Sequence, residues 1–168
     1  MKYVFKKRRV RWFVWLIDQI GFKCFRRRKR QDDLGKTFLV IRVDHLGDVV
    51  LSEPFFRELK NQRPETKTIL ITTDQGKAVL NQRPDIDEII AIQASWFSPS
   101  KRFVEKFWGK FRDWISLICL IRSIDCDVII DLRGDFRHIL ASKIAKPSAW
   151  LISYGITGGG FLLDCEAP

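Results

Sequence analysis

Between residues 37 and 153, short runs rich in β-branched and aromatic residues alternate with stretches of helical spacing, and no other feature restricts the fold as much. The runs are Thr37–Val43, Lys67–Thr73, Glu88–Ile92, Asp127–Asp131 and Ala149–Ser153. They are short, largely apolar and bounded by polar or turn residues, which is the pattern of strands buried in a sheet. Helical spacing fills the intervals over Val49–Gln62, Gln75–Asn81, 102–123 and Phe136–Lys146. Pro54 kinks the first of these or marks its effective start. Strands separated by helices pair in parallel, with helices on both faces of the sheet. The expected fold class is therefore α/β, a Rossmann-like doubly wound parallel sheet over residues 37–168.

Residues 1–36 have a different character. They hold 13 Lys/Arg against 3 Asp, so the net charge of +10 lies entirely in this leader. The remainder is balanced, which speaks against a generic polyanion binder and predicts no nucleic-acid partner. Basic clusters at Lys6–Arg11 and Lys23–Arg30 flank the apolar run Trp12–Ile17. A spanning helix needs about 20 apolar residues, so this segment does not cross a bilayer. It has no small-residue cleavage site, and arginines follow it directly, unlike a signal peptide. The expected element is a basic amphipathic helix whose residues 1–30 meet an anionic membrane surface, with Trp12, Trp15, Phe22 and Phe25 at the headgroup boundary. A tail docked on its own domain and an RNA-binding arm stand as alternatives. Asp32–Lys36 is a polar joint, dividing the chain into a leader, 1–36, and a domain, 37–168.

In an open α/β sheet, ligands bind beyond the carboxyl ends of the strands. That places candidate chemistry in Asp44–Asp48, Thr73–Gly76, Gln93–Ser95, Asp131–Asp135 and Tyr154–Gly160. In the first segment Gly47 allows a close approach or a positive φ, and Asp48 opens a helix. Asp48 has two readings: an N-cap, or a general base at the mouth of the first strand. His45 is a lesser candidate. In the fourth segment Arg133 and Arg137 either grip an anion with forked donors or pair with aspartate to close the loop. The glycines Gly158, Gly159 and Gly160 offer backbone amides to an anion, or form a plain turn.

Several classes are excluded. The four cysteines show no CxxC and no histidine at ligand spacing, so no metal site is expected. They read as reduced, buried or incidental thiols. A GxGxxG after the first strand and a GxxxxGK[ST] are both absent, which disfavours dinucleotide and P-loop binding, and no cofactor is predicted. Neither GxSxG nor a Cys–His pairing points to acyl transfer.

Taken together, Phe38–Lys60, Asn81–Ile90, Asp127–Asp135 and Tyr154–Leu163 resemble, in order and spacing, the family 9 glycosyltransferases, which include the lipopolysaccharide heptosyltransferases. The likeness runs over about residues 38–163, and its first block is the most specific. It implies the N-terminal half of an enzyme with two facing Rossmann-like domains, one holding the acceptor and the other a nucleotide-sugar, typically ADP-heptose. The resemblance carries the catalytic base onto Asp48. It places Gly47 and His45 beside the acceptor sugar, and lines the acceptor groove with Arg133, Gly134 and Asp135, joined by Gly158 and Gly159. The implied partners are a glycolipid acceptor and, only where a second domain supplies the site, a nucleotide-sugar donor. The implied location is cytoplasmic, on the inner face of the bacterial inner membrane. The chain stops where the connection to a second domain is expected, so residues 1–168 alone are expected to be a truncated form without transferase activity. The runner-up is a non-catalytic, membrane-associated module that binds a glycolipid or a partner.

Overall fold

The computed structural model describes residues 8–24, 35–93 and 103–167. Helix α1 (Arg8–Cys24) comes first, then strand β1 (Thr37–Ile41), helices α2 (Leu46–Leu51) and α3 (Glu53–Gln62), β2 (Lys67–Thr72), α4 (Asp74–Leu80) and β3 (Glu88–Ala91). Helix α5 (Phe103–Ser123), β4 (Val128–Asp131), α6 (Phe136–Ala145) and β5 (Trp150–Ser153) follow. Two 3₁₀ turns, Gly155–Thr157 and Gly160–Leu162, lead to the short β6 (Cys165–Glu166). Six parallel strands form one sheet in the order β3-β2-β1-β4-β5-β6, the doubly wound arrangement read from the alternation.

β1 lies between β2 and β4, with Val40 opposite Leu70 on one side and Ile130 on the other. A strand with neighbours on both sides and helices on both faces has no wet face, which is why Phe38–Ile41 is continuously apolar and buried. On one face Leu39, Ile41, Ile69, Ile129 and Leu151 pack against Leu117 and Ile121 of α5 and Ile139 of α6. On the other, Val40 and Leu70 meet Val49 of α2, Phe56 of α3 and Leu80 of α4. The amino edge of the sheet is closed by carboxylates. Asp87 accepts from Thr68 N, Asp127 from Lys36 N and Thr37 N, and Asp164 from Leu151 N. Loop chemistry is thereby concentrated at the opposite, carboxyl edge.

The helix expected over Val49–Gln62 is two helices, broken at Ser52. Pro54 lies in the first turn of α3, where its missing N–H removes no helical bond, so it starts a helix and does not kink one. β6 has only two residues, too short for any periodicity to announce.

The leader helix is docked on the domain. Its Asp18 carboxylate is buried and accepts a 2.8 Å hydrogen bond from Gly159 N. Gly21 abuts the Phe161 ring, 2.3 Å from where a Cβ would stand, and Phe22 meets the same ring edge-on at 6.4 Å. Val14, Asp18, Gly21 and Phe22 thus share one helical face turned to the domain. Trp12, Trp15 and Ile20 face outward, Trp12 being 62% exposed. No helix among the described residues is long and apolar enough to cross a membrane. Lys6 and Lys7, Phe25, the basic residues 26–30 and residues 32–34 of the joint lie outside the described residues.

Candidate functional site

The sheet order reverses direction between β1 and β4, the switch point at which open α/β sheets place their ligands. Two arginines tie the loops after these strands together in opposite senses. Arg42, just past β1, donates through Nη1 to Leu132 O at 2.6 Å, and through Nε and Nη2 to Asp48 O. Arg133, just past β4, donates through Nη1 to Val43 O at 2.9 Å. Asp44 stands between them, 3.7 Å from Arg42 and 3.5 Å from Arg133. Arg133 also lies 3.7 Å from Asp135, which Arg137 holds through Nε at 2.9 Å and Nη2 at 2.5 Å. Arg42, Asp44, Arg133, Asp135 and Arg137 therefore form one string of alternating charge.

The β4 loop is set from beneath by Asp131, a fully buried carboxylate. It accepts from Gly134 N, Asp135 N and Ser153 Oγ, and contacts His138 Nδ1 at 3.1 Å. Gly134 adopts φ +70°, and a Cβ there would lie 2.8 Å from Tyr154 O, so the turn itself demands glycine. Asp135 caps α6 by accepting from Arg137 N. Burial alone would raise the Asp135 carboxyl. The Arg137 side-chain bond, the charge of His138, and the backbone bond and charge of Arg137 outweigh it and hold this group down at about 2. The Asp–Arg pair weighed from the sequence is thus present, between Asp135 and Arg137.

Asp48 does not cap α2. It is the third residue of that helix, and His45 occupies the cap position with no side-chain cap bond. The N-cap reading of Asp48 therefore falls. Its carboxylate, part-exposed at the mouth of β1, has no hydrogen bond or ion pair with another described residue. Gly47 is helical, not at positive φ, and a Cβ there would meet nothing within 4 Å. His45 is exposed beside it.

Gly158 and Gly159 both have positive φ and are buried, not exposed as the sequence suggested. A Cβ on Gly158 would fall 2.6 Å from Val14 Cγ1, and the Gly159 amide is bound to Asp18. The loop that carries His45, Gly47 and Asp48 and the loop that carries Arg133, Gly134 and Asp135 are therefore neighbours, joined through Arg42, Arg133 and Asp44. The structure sets Gly158 and Gly159 next to Asp135 but beneath α1. Phe136 N donates to Thr157 Oγ1, which donates in turn to Gly134 O, joining the two loops. In the second segment, Thr73 caps α4 through Gly76 N. Of Gln93–Ser95, residues 94 and 95 lie outside the described residues. Among the described residues no group of three His, Cys, Asp or Glu side chains could hold a metal ion. Sequence reasoning missed Arg42, and it placed Asp44 in the first candidate segment without giving it a role. Their signal was an arginine and an aspartate directly beyond the central strand.

No sequence-family model and no curated protein matches the chain. Solved structures match by fold. The glycosyl transferase family 9 protein from Veillonella parvula DSM 2008 aligns with TM-score 0.55 and 22% identity over 75% of this chain. E. coli ADP-heptose lps heptosyltransferase II aligns with TM-score 0.59 and 16% identity over 79%. The chain shares the fold of part of these glycosyltransferases. Acinetobacter baumannii MurG shares that fold more distantly, with TM-score 0.52 and 12% identity over 71% of this chain. This glycosyltransferase-like domain spans only about a third of each structure, 34% of the first and 35% of the other two.

Proposed function

We propose that the chain is the acceptor-binding half of a nucleotide-sugar-dependent glycosyltransferase of the heptosyltransferase type, with Asp48 as its general base. The observation that carries this reading is the pairing of Asp48 with Gly47. A carboxylate free of described partners stands beside a glycine that the protein's own packing does not require. Glycine inside a helix costs about 1 kcal/mol against alanine, and the open space over Gly47 fits the close approach of an acceptor sugar. The carboxylate takes the acceptor hydroxyl proton as that oxygen attacks the anomeric carbon. The bond from this carbon to the nucleotide phosphate breaks on the opposite face, and the nucleotide leaves with the bonding pair.

Arg133 and Arg137, steadied by Asp44 and Asp135, give the β4 loop forked donors for hydroxyl or phosphate groups of a lipid-linked sugar. Donor binding belongs to a second Rossmann-like domain. The outward face of α1, with Trp12, Trp15 and Ile20, and the leader's net charge of +10 support placement on an anionic membrane surface.

The test is Asp48→Asn in an enzyme reconstituted with a family 9 donor domain. Turnover should fall by about 10²-fold or more while acceptor binding is retained. Unchanged turnover would remove Asp48 from the chemistry. Acceptor binding without any turnover in the reconstituted wild type would favour the non-catalytic module.

A further inference from the structure

Helix α5 carries an exposed stripe that the sheet does not use. Its inner face, with Leu117 and Ile121 backed by Trp114 and Ile118, packs into the core. On the other face Phe111 and Ile115, one helical turn apart, are 47% and 42% exposed. Arg112 is exposed beside them and has no hydrogen bond or ion pair with another described residue. Two exposed apolar side chains would be ordinary on their own, but their sequence setting is not. Residues 101–114 hold five Lys/Arg (Lys101, Arg102, Lys106, Lys110 and Arg112) against only Glu105 and Asp113, in a domain that is otherwise not basic. Five aromatic residues, Phe103, Phe107, Trp108, Phe111 and Trp114, are interleaved with those cations. That composition on a helix suits the boundary of an anionic membrane.

We infer that the Phe111, Arg112 and Ile115 stripe of α5 is a second membrane contact, seated with α1 on one anionic lipid surface. Charge selects the occupant, because the stripe presents an unpaired cation between apolar side chains. Area argues against a protein partner. The apolar pair exposes on the order of 200 Å², against roughly 800 Å² per partner in a stable protein interface. Position ties the stripe to α1, since both helices meet the first turn of α6. The Trp114 indole N–H donates to Arg137 O at 2.9 Å, while Val14 and Ile17 of α1 line a cavity with Phe136 and Arg137. The inference rests on the membrane placement proposed for α1 and not on the chemistry proposed at Asp48.

The experiment measures partition of the full chain onto vesicles by co-sedimentation. Mixed phosphatidylglycerol and phosphatidylethanolamine bilayers are compared with phosphatidylcholine alone. Phe111→Ser with Ile115→Ser should weaken binding to the anionic vesicles at least about tenfold, both with the wild-type leader and in a Trp12→Ala, Trp15→Ala background. Arg112→Gln should weaken it about fivefold at low salt and change nothing on phosphatidylcholine. These side chains are exposed, so the circular dichroism spectrum should not change. If the serine pair fails to fold, Arg112→Glu replaces it and should lose more than Arg112→Gln, on anionic vesicles only. Wild-type affinity in all the α5 variants would overturn the second contact and leave the leader's placement standing. Failure of the wild-type chain to bind anionic vesicles would overturn both. A lipid-free dimer that the serine pair dissociates, read by sedimentation equilibrium, would give the stripe to a second copy of the chain and overturn the lipid contact.

Discussion

Arg42 and Arg133 clasp the two central loops from opposite sides, Arg42 on Leu132 O at 2.6 Å and Arg133 on Val43 O at 2.9 Å. Each arginine follows one strand and secures the backbone beyond the other, so the spacing of the two loops depends on both. Truncating either should widen it. We expect Arg133→Ala to cost about 1–2 kcal/mol in urea unfolding, after allowance for its part-exposed guanidinium. In a reconstituted enzyme it should raise the acceptor KM more than it lowers kcat. An unchanged KM would show that the clasp serves stability only.

Gly47 and Gly134 should respond in opposite ways to alanine. At Gly134 the positive φ and the 2.8 Å approach to Tyr154 O make any Cβ costly, and a loss of about 1–3 kcal/mol is expected. At Gly47 nothing lies within 4 Å, so alanine should be neutral or stabilise by up to about 1 kcal/mol while weakening acceptor binding. Thermal melts of the two variants, paired with acceptor titration, separate a fold glycine from a ligand glycine.

Asp135 should make stability depend on acid. Its carboxyl titrates at about 2 in the fold against 3.8 as the ordinary value. A depressed carboxyl stabilises fully above its unfolded value, and that contribution disappears as pH falls through the folded one. Asp135→Asn keeps an acceptor for the helix cap but loses the charge. It should therefore be less stable than wild type by about 2 kcal/mol at neutral pH, with the gap closing between about pH 4 and pH 2. A gap independent of pH would assign the loss to packing.

Asp18 should decide whether α1 stays seated. Asp18→Ala leaves Gly159 N without its acceptor at a buried contact, a loss of about 1–3 kcal/mol. Amide exchange in residues 8–24 should accelerate while β1 and β4 remain protected, since the helix does not belong to the sheet's core. Asp18→Asn, which keeps an oxygen acceptor, should restore part of the protection.

The sheet was legible because Phe38–Ile41, Ile69–Ile71 and Val128–Ile130 are continuous apolar runs, which only central parallel strands require. The alternation implied that loop chemistry lies beyond the carboxyl ends of the strands, but not which two loops flank the reversal of strand order between β1 and β4. Of the two readings of Asp48, the cap fails because α2 begins at Leu46, ahead of any apolar periodicity, on the extended backbone of His45. The triple glycine looked like a free anion site because its anion, Asp18, lies far away in sequence. The clue was present in the leader itself, where Asp18 and Gly21 interrupt the helical face of Val14 and Phe22. A lone carboxylate and a glycine on an apolar face mark a surface that something must cover.

That contact also has a history in time. Asp18 and Gly159 are separated by 141 positions, and synthesis delivers the helix first. At about 5–20 residues per second, the turn that receives Asp18 arrives on the order of ten seconds later. For that interval the leader is a tethered cationic peptide with both its faces uncovered. Whatever it meets on leaving the ribosome, it meets before its own domain can compete for it.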